Sequence, residues 1–141
     1  MATSYTATVD VTGEGRNGGT VRSSDGLLEH RLSIPKELGG AGDATNPEQL
    51  FAAGWAACFL GALRRAAAAR KIRLTSTEIT AEITLLHGED GEFSLAATLS
   101  PRLGGVDQPT AEELAEAAHQ ICPYSKSTRG NIPVTLNATA V

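Results

Sequence analysis

Residues 46–63 read NPEQLFAAGWAACFLGAL, and the fold turns on how this stretch is taken. Residues 50–63 form 14 consecutive apolar or small positions, short of the roughly 20 needed to cross a bilayer. The stretch reads instead as a buried helix. Thr45-Asn46 offers a capping side chain, Pro47 suits a first helical turn, and Glu48 complements the positive end of the helix dipole. A helix over about 47–71 is expected, with Arg64, Arg65, Arg70 and Lys71 complementing its negative end. Its first half is apolar or small on every side, so it must be covered on every side. A chain of 141 residues wraps only part of such a helix with its own sheet, and a second subunit is expected to cover the rest.

Upstream, residues 5–12 alternate as a strand that ends in Gly13, Gly15, Gly18 and Gly19, a flexible loop. TVRSS and LLEHRLSI flank Asp25-Gly26, which favours the φ > 0 turn of a hairpin, so a three-stranded meander is expected. Downstream, residues 77–86 and 93–99 alternate around His87-Gly88-Glu89-Asp90-Gly91 and form a second hairpin. Thr110 with Glu113 forms a capping box. It opens a helix with Leu114, Ala117, Ala118 and Ile121 on one face, Cys122 on its last turn and Pro123 at its end. Residues 132–141 form a closing strand. The expected order is βββ-α-ββ-α-β, an α+β domain over residues 1–141 with antiparallel sheets and two helices.

Composition narrows the function. Lys+Arg of 12 against Asp+Glu of 16 gives a net charge of −4, which argues against a general nucleic-acid binder. With 4% aromatic residues, the core must be built from aliphatic side chains, and the 22 alanines carry much of it. The opening MATSYTATVD lacks a basic region followed by an apolar run, so no signal peptide is read and a cytoplasmic location without membrane insertion is expected.

Cys58 and Cys122 lie 64 positions apart, which is neither a disulfide framework nor a zinc pattern. Inert core cysteines and a reactive pair both fit. Within an apolar helix, burial alone raises the Cys58 thiol pKa, so reactivity requires a cation. A guanidinium suits that task because it stays charged when partly buried. Arg16 sits in the first glycine loop, and Glu48 could hold it by a two-bond pairing. Residues 13–18 match G-x-G-x-x-G, but a hairpin rather than a helix follows, so a dinucleotide site is rejected. Glu48 and Cys58 are ten residues apart, about 15 Å along one unbroken helix and roughly 80° around it. Antiparallel packing of two copies would let Glu48 of one subunit approach Cys58 of the other. His119, three residues before Cys122, follows the polar face and reads as solvated.

Taken together, NPEQLFAAGWAACFLGAL around Cys58, SSDG and PKELGG upstream, and CPYSKSTRGNI around Cys122 resemble the organic hydroperoxide resistance (Ohr) branch of the Ohr/OsmC family. The resemblance covers essentially the whole chain. It implies an intertwined homodimer around a central buried helix, and a cofactor-free, thiol-dependent peroxidase acting on alkyl and fatty-acid hydroperoxides. It makes Cys58 the peroxidatic cysteine and Cys122 the resolving cysteine, which together form a disulfide. It makes Arg16 the activator of the thiolate and Glu48 the carboxylate that holds Arg16, and the helix spacing has Glu48 come from the other subunit. Dihydrolipoamide or a lipoylated protein is the implied reductant. Trp55 stands where many relatives are expected to carry tyrosine. Two other readings differ in activity: an OsmC-like peroxidase of broader specificity, and a non-turnover redox sensor or hydrophobic-ligand binding module. The short acidic chain leaves no room for a sensor's DNA-binding output element.

Overall fold

Three short strands, β1 (Val9–Thr12), β2 (Thr20–Ser23) and β3 (Glu29–Arg31), pair antiparallel in that order. The computed structural model describes residues 2–141 in two compact units that meet in sequence at Leu50 and Phe51. The expected meander is the sheet of the first unit. Its hairpin turns where expected: Gly26 takes φ 74°, and Asp25 Oδ1 accepts from Leu27 N at 3.0 Å and Ser23 Oγ at 2.6 Å. β1 starts at Val9 rather than at residue 5, because its register partner there is Ser23, after which β2 turns away.

Helix α1 (Pro47–Ala69) begins as the sequence predicts, with Asn46 Oδ1 accepting from Gln49 N at 2.9 Å. It ends two residues short of the expected point. Lys71 adopts φ 56°, while Ile72 N donates to Ala67 O and Lys71 N to Ala68 O, a Schellman closure. One face of α1 buries Trp55, Phe59, Ala62, Leu63, Ala66 and Ala67. Ala53, Ala57 and Gly61 are exposed on another.

In the second unit, β4 (Ser76–His87) and β5 (Phe93–Gly104) pair over all twelve positions, from Ser76↔Gly104 to His87↔Phe93. Ile79, Ala81 and Ile83 of β4, with Ala97, Leu99 and Leu103 of β5, join the side chains of α1 in one core cluster. Period-2 alternation therefore sets which face meets the helices.

Four details differ from the sequence reading. Helix α2 (Gln108–Ile121) is capped by Asp107, whose Oδ1 accepts from Thr110 N at 2.9 Å; Thr110 is not the cap, and the helix opens earlier. Its buried face is Ala111, Leu114, Ala115 and Ala118, with Ile121 39% exposed, because the smaller alanines allow closer approach than the face with Ile121. Cys122 closes the last turn of α2 as expected, its N–H donating to Ala118 O at 2.8 Å, but the chain does not leave helical structure there. Cys122 joins α2 to a further helix, α3 (Pro123–Thr128), since Pro123 ends one helix but is equally suited to start the next. The closing segment splits into β6 (Val134–Leu136) and β7 (Thr139–Ala140), both parallel to β5. The second sheet is therefore mixed, not antiparallel: α2 and α3 form the crossover that returns the chain in the direction of β5.

Candidate functional site

In the first unit, residues 13–19 are a wound turn rather than a loose loop. Gly15–Asn17 form one 3-10 turn, and Gly19 N donates to Gly15 O at 2.8 Å. At Gly19 a Cβ would lie 2.2 Å from Thr12 O, so only glycine lets the chain close here. The turn presents Arg16, whose two terminal nitrogens donate to the two Glu48 oxygens at 2.8 and 2.6 Å. This bidentate geometry is the strong form of the carboxylate–guanidinium pair. The Arg16 bonds hold the Glu48 carboxyl below its ordinary range, and Glu48 in turn raises Arg16. Both groups are therefore charged at neutral pH.

The pairing that sequence reading assigned to Arg16 and Glu48 is present within one chain. The reason is local. Capping by Asn46 and Pro47 places Glu48 in the first turn of α1, where its carboxylate meets the Arg16 turn without a second subunit.

In the second unit, Cys58 of α1 and Cys122 between α2 and α3 are free thiols with their sulfurs 3.4 Å apart, Cys122 donating. Cys122 is fully buried and Cys58 half-buried. Burial pushes the Cys58 thiol up, the neighbouring Cys122 adds to the rise, and the Tyr124 backbone N–H opposes it. A thiol so placed is protonated at neutral pH and needs a positive charge to become a nucleophile. The sulfurs need only close to about 2.05 Å to form a disulfide.

Four neighbours were not singled out as site residues by the sequence reading. Trp55 Nε1 donates to Ser125 Oγ at 3.2 Å, both residues being fully buried. Phe51 stacks on Trp55 with ring centroids 5.5 Å apart, and Tyr124 supplies the N–H to Cys58. The available signal was spacing: Trp55 precedes Cys58 by three and Ser125 follows Cys122 by three, one helical turn each. His119 is not the solvated residue expected from the polar face of α2. Its Nδ1 is buried without a hydrogen-bond partner, and its ring lies 6.5 Å from that of Phe59. Among the described residues, no group of three or more His, Cys, Asp or Glu is arranged to hold a metal, and no helix is long and apolar enough to cross a membrane.

A family model described as OsmC-like protein matches residues 40–137. The organic hydroperoxide resistance protein of Xanthomonas axonopodis pv. citri is 49% identical over 134 residues, covering 94% of this chain and 92% of its own. An organic hydroperoxide resistance protein from Elizabethkingia anophelis, solved with thiocyanate bound, superposes with a TM-score of 0.92 at 44% identity over 100% of both chains. One from Legionella pneumophila gives 0.91 at 45% identity, covering 98% of this chain and 99% of its own.

Proposed function

Since the chain belongs to the OsmC-like family, among relatives named organic hydroperoxide resistance proteins, we propose that it is a cysteine-based peroxidase that reduces organic hydroperoxides to alcohols. The observation that carries the reading is the pair of reduced sulfurs at 3.4 Å, one half-accessible and one fully buried. That asymmetry suits a first cysteine that meets substrate and a second that meets only the first.

In this reading the Cys58 thiolate attacks the distal oxygen of ROOH. The O–O bond breaks, the alkoxide takes a proton and leaves as ROH, and Cys58 becomes a sulfenic acid. Arg16 supplies the positive charge that favours the thiolate and stabilises the charge growing on the breaking bond, and Glu48 holds Arg16 in readiness. Cys122 then attacks the sulfenic sulfur, expelling the hydroxyl as water and forming the Cys58–Cys122 disulfide. Two electrons from an external dithiol, a dihydrolipoyl group, restore both thiols. No resident cofactor enters the cycle. Apolar neighbours such as Phe51 and Phe59 suit alkyl substrates and a lipoyl chain better than hydrogen peroxide. The exposed small face of α1 at Ala53, Ala57 and Gly61 supports the homodimer reading, with a second copy's helix as its cover, and a cytoplasmic setting would suit a cycle that returns both cysteines to thiols.

The test is multiple-turnover reduction of cumene hydroperoxide with dihydrolipoamide, thioredoxin or glutathione as donor. Rapid turnover with dihydrolipoamide, abolished by Cys58→Ser, is expected. Stoichiometric oxidation without turnover under every donor would instead make the protein a thiol sensor or binding module. Equal rates with hydrogen peroxide would remove the organic preference.

A further inference from the structure

The two cysteines are one rung of a two-rung contact. Cys58 faces Cys122, and one helical turn away Trp55 faces Ser125, three residues before the first cysteine and three after the second. Beside the Trp55 rung the two helices are also close: a Cβ at Gly54 would lie 3.6 Å from Tyr124 Cε2. The second rung is a directional bond between fully buried partners. An indole N–H can only donate, and a buried donor without an acceptor is costly. Sliding or rotating α1 against α3 therefore breaks the bond before it disturbs the softer apolar contacts around it.

We propose that the Trp55–Ser125 hydrogen bond is a positioning clamp for disulfide closure, holding α1 and α3 in the register that lets Cys122 reach the oxidised Cys58 before a second peroxide does. The inference rests on the peroxidase reading above and assigns neither residue a role in attacking peroxide. Closure itself is balanced by the two cysteines: the Cys122 sulfur bonds to the sulfenic sulfur, the S–O bond breaks, and the Cys122 proton leaves with the hydroxyl as water. Closure needs the sulfurs to approach by a little over 1 Å, from 3.4 Å to about 2.05 Å. A misplacement of about 1 Å is enough to cost on the order of 10²-fold in a positioned reaction. Sulfenic acid that waits is carried irreversibly to sulfinic acid.

The experiment follows both steps in the full chain after one equivalent of cumene hydroperoxide, by mass spectrometry with and without a sulfenic-acid trap. It compares wild type, Trp55→Phe, Ser125→Ala and the double variant. The ratio of closure rate to sulfenic-acid formation is expected to fall about tenfold in each single variant, the rate equivalent of one lost buried hydrogen bond. Sulfinic acid should accumulate at lower peroxide, and the double variant should be no worse than the poorer single one, since the two groups act as one bond. Trp55→Phe keeps an aromatic ring in the core should Ser125→Ala fold poorly. An unchanged ratio in the folded single variants, or additive losses in the double variant, overturns the clamp while leaving the peroxidase reading intact. Absence of any Cys58–Cys122 disulfide in the wild type overturns both.

Discussion

The Arg16–Glu48 pair and the Cys58–Cys122 pair solve opposite problems. The first is two full charges on a glycine turn and a helix start, with Arg16 38% and Glu48 17% exposed. Partial exposure spares it the desolvation penalty of a fully buried ion pair. The second is two uncharged sulfurs in an apolar contact between the middle of α1 and the junction of α2 with α3, where burial holds the Cys58 thiol up. Charge is cheap to keep at the first place and expensive at the second. The difference teaches that the thiol is not made reactive by its own surroundings: Tyr124 N–H is the one group in its own unit that pulls the Cys58 pKa down. In the peroxidase reading proposed above, reactivity would depend on a charge that stays fixed while the sulfur's charge changes.

The largest effect should come from removing that charge. Arg16→Ala is expected to lower kcat/KM for cumene hydroperoxide by about 10²–10³-fold, the range for loss of one preorganised electrostatic group. It should also move the alkylation pH profile of Cys58 upward, because the thiolate loses its counter-charge. Arg16→Lys should recover only part, since an ammonium does not reproduce the bidentate fork. An unmoved Cys58 profile in Arg16→Ala would break the comparison, leaving the thiol activated from within its own unit.

Glu48→Gln should cost less, about tenfold in kcat/KM, because Arg16 keeps its charge and loses only its orientation. The carboxylate also gives a pH signature. Its folded pKa lies below the ordinary value of 4.5, so its contribution to stability is complete above that value and is lost as pH falls through the lower, folded one. The acid limb of wild-type stability should therefore be steeper than that of the Gln variant. Superimposable acid limbs would mean the bidentate bond contributes nothing in solution.

Much of this comparison was legible in the sequence, for physical reasons that differ between residues. Asn46-Pro47-Glu48 fixed the start of α1 because capping is local, and Asp25-Gly26 fixed the hairpin for the same reason. The alternation of β4 and β5 named their inward faces because a pleat has one period. Arg16 and Glu48 were paired from chemistry alone, but how the glycine turn winds to present Arg16 is not encoded by spacing along a helix. Helix α3 was missed: a proline that ends a helix also starts one, and the six residues from Pro123 carry no full amphipathic period. β6 and β7 were too short to reveal their parallel pairing with β5. Trp55–Ser125 is a contact across 70 positions, visible only once α1 and α3 are docked.

The smallest effect sharpens the cysteine side of the comparison. His119 packs one turn before Cys122, with its Nδ1 buried and unpartnered. Protonation would place an N–H where no acceptor waits, in addition to the cost of burying charge. Burial first and Arg129 second lower its pKa below 6.5, with Glu116 opposing. The Arg129 guanidinium is held there by donating to His119 O at 2.7 Å. A histidine lowered on folding takes up its proton first in the unfolded chain, so its contribution to stability is full above the unfolded value and shrinks as pH falls through about 6.5. Wild-type Tm should thus decline by a few °C between about pH 7.5 and pH 5, a window above that of Glu48. His119→Asn cannot titrate, so it should flatten that decline whatever its effect on absolute stability. Parallel Tm profiles for the two proteins would show that the histidine reaches water in solution, and that the apolar enclosure of the cysteine pair stops short of the last turn of α2.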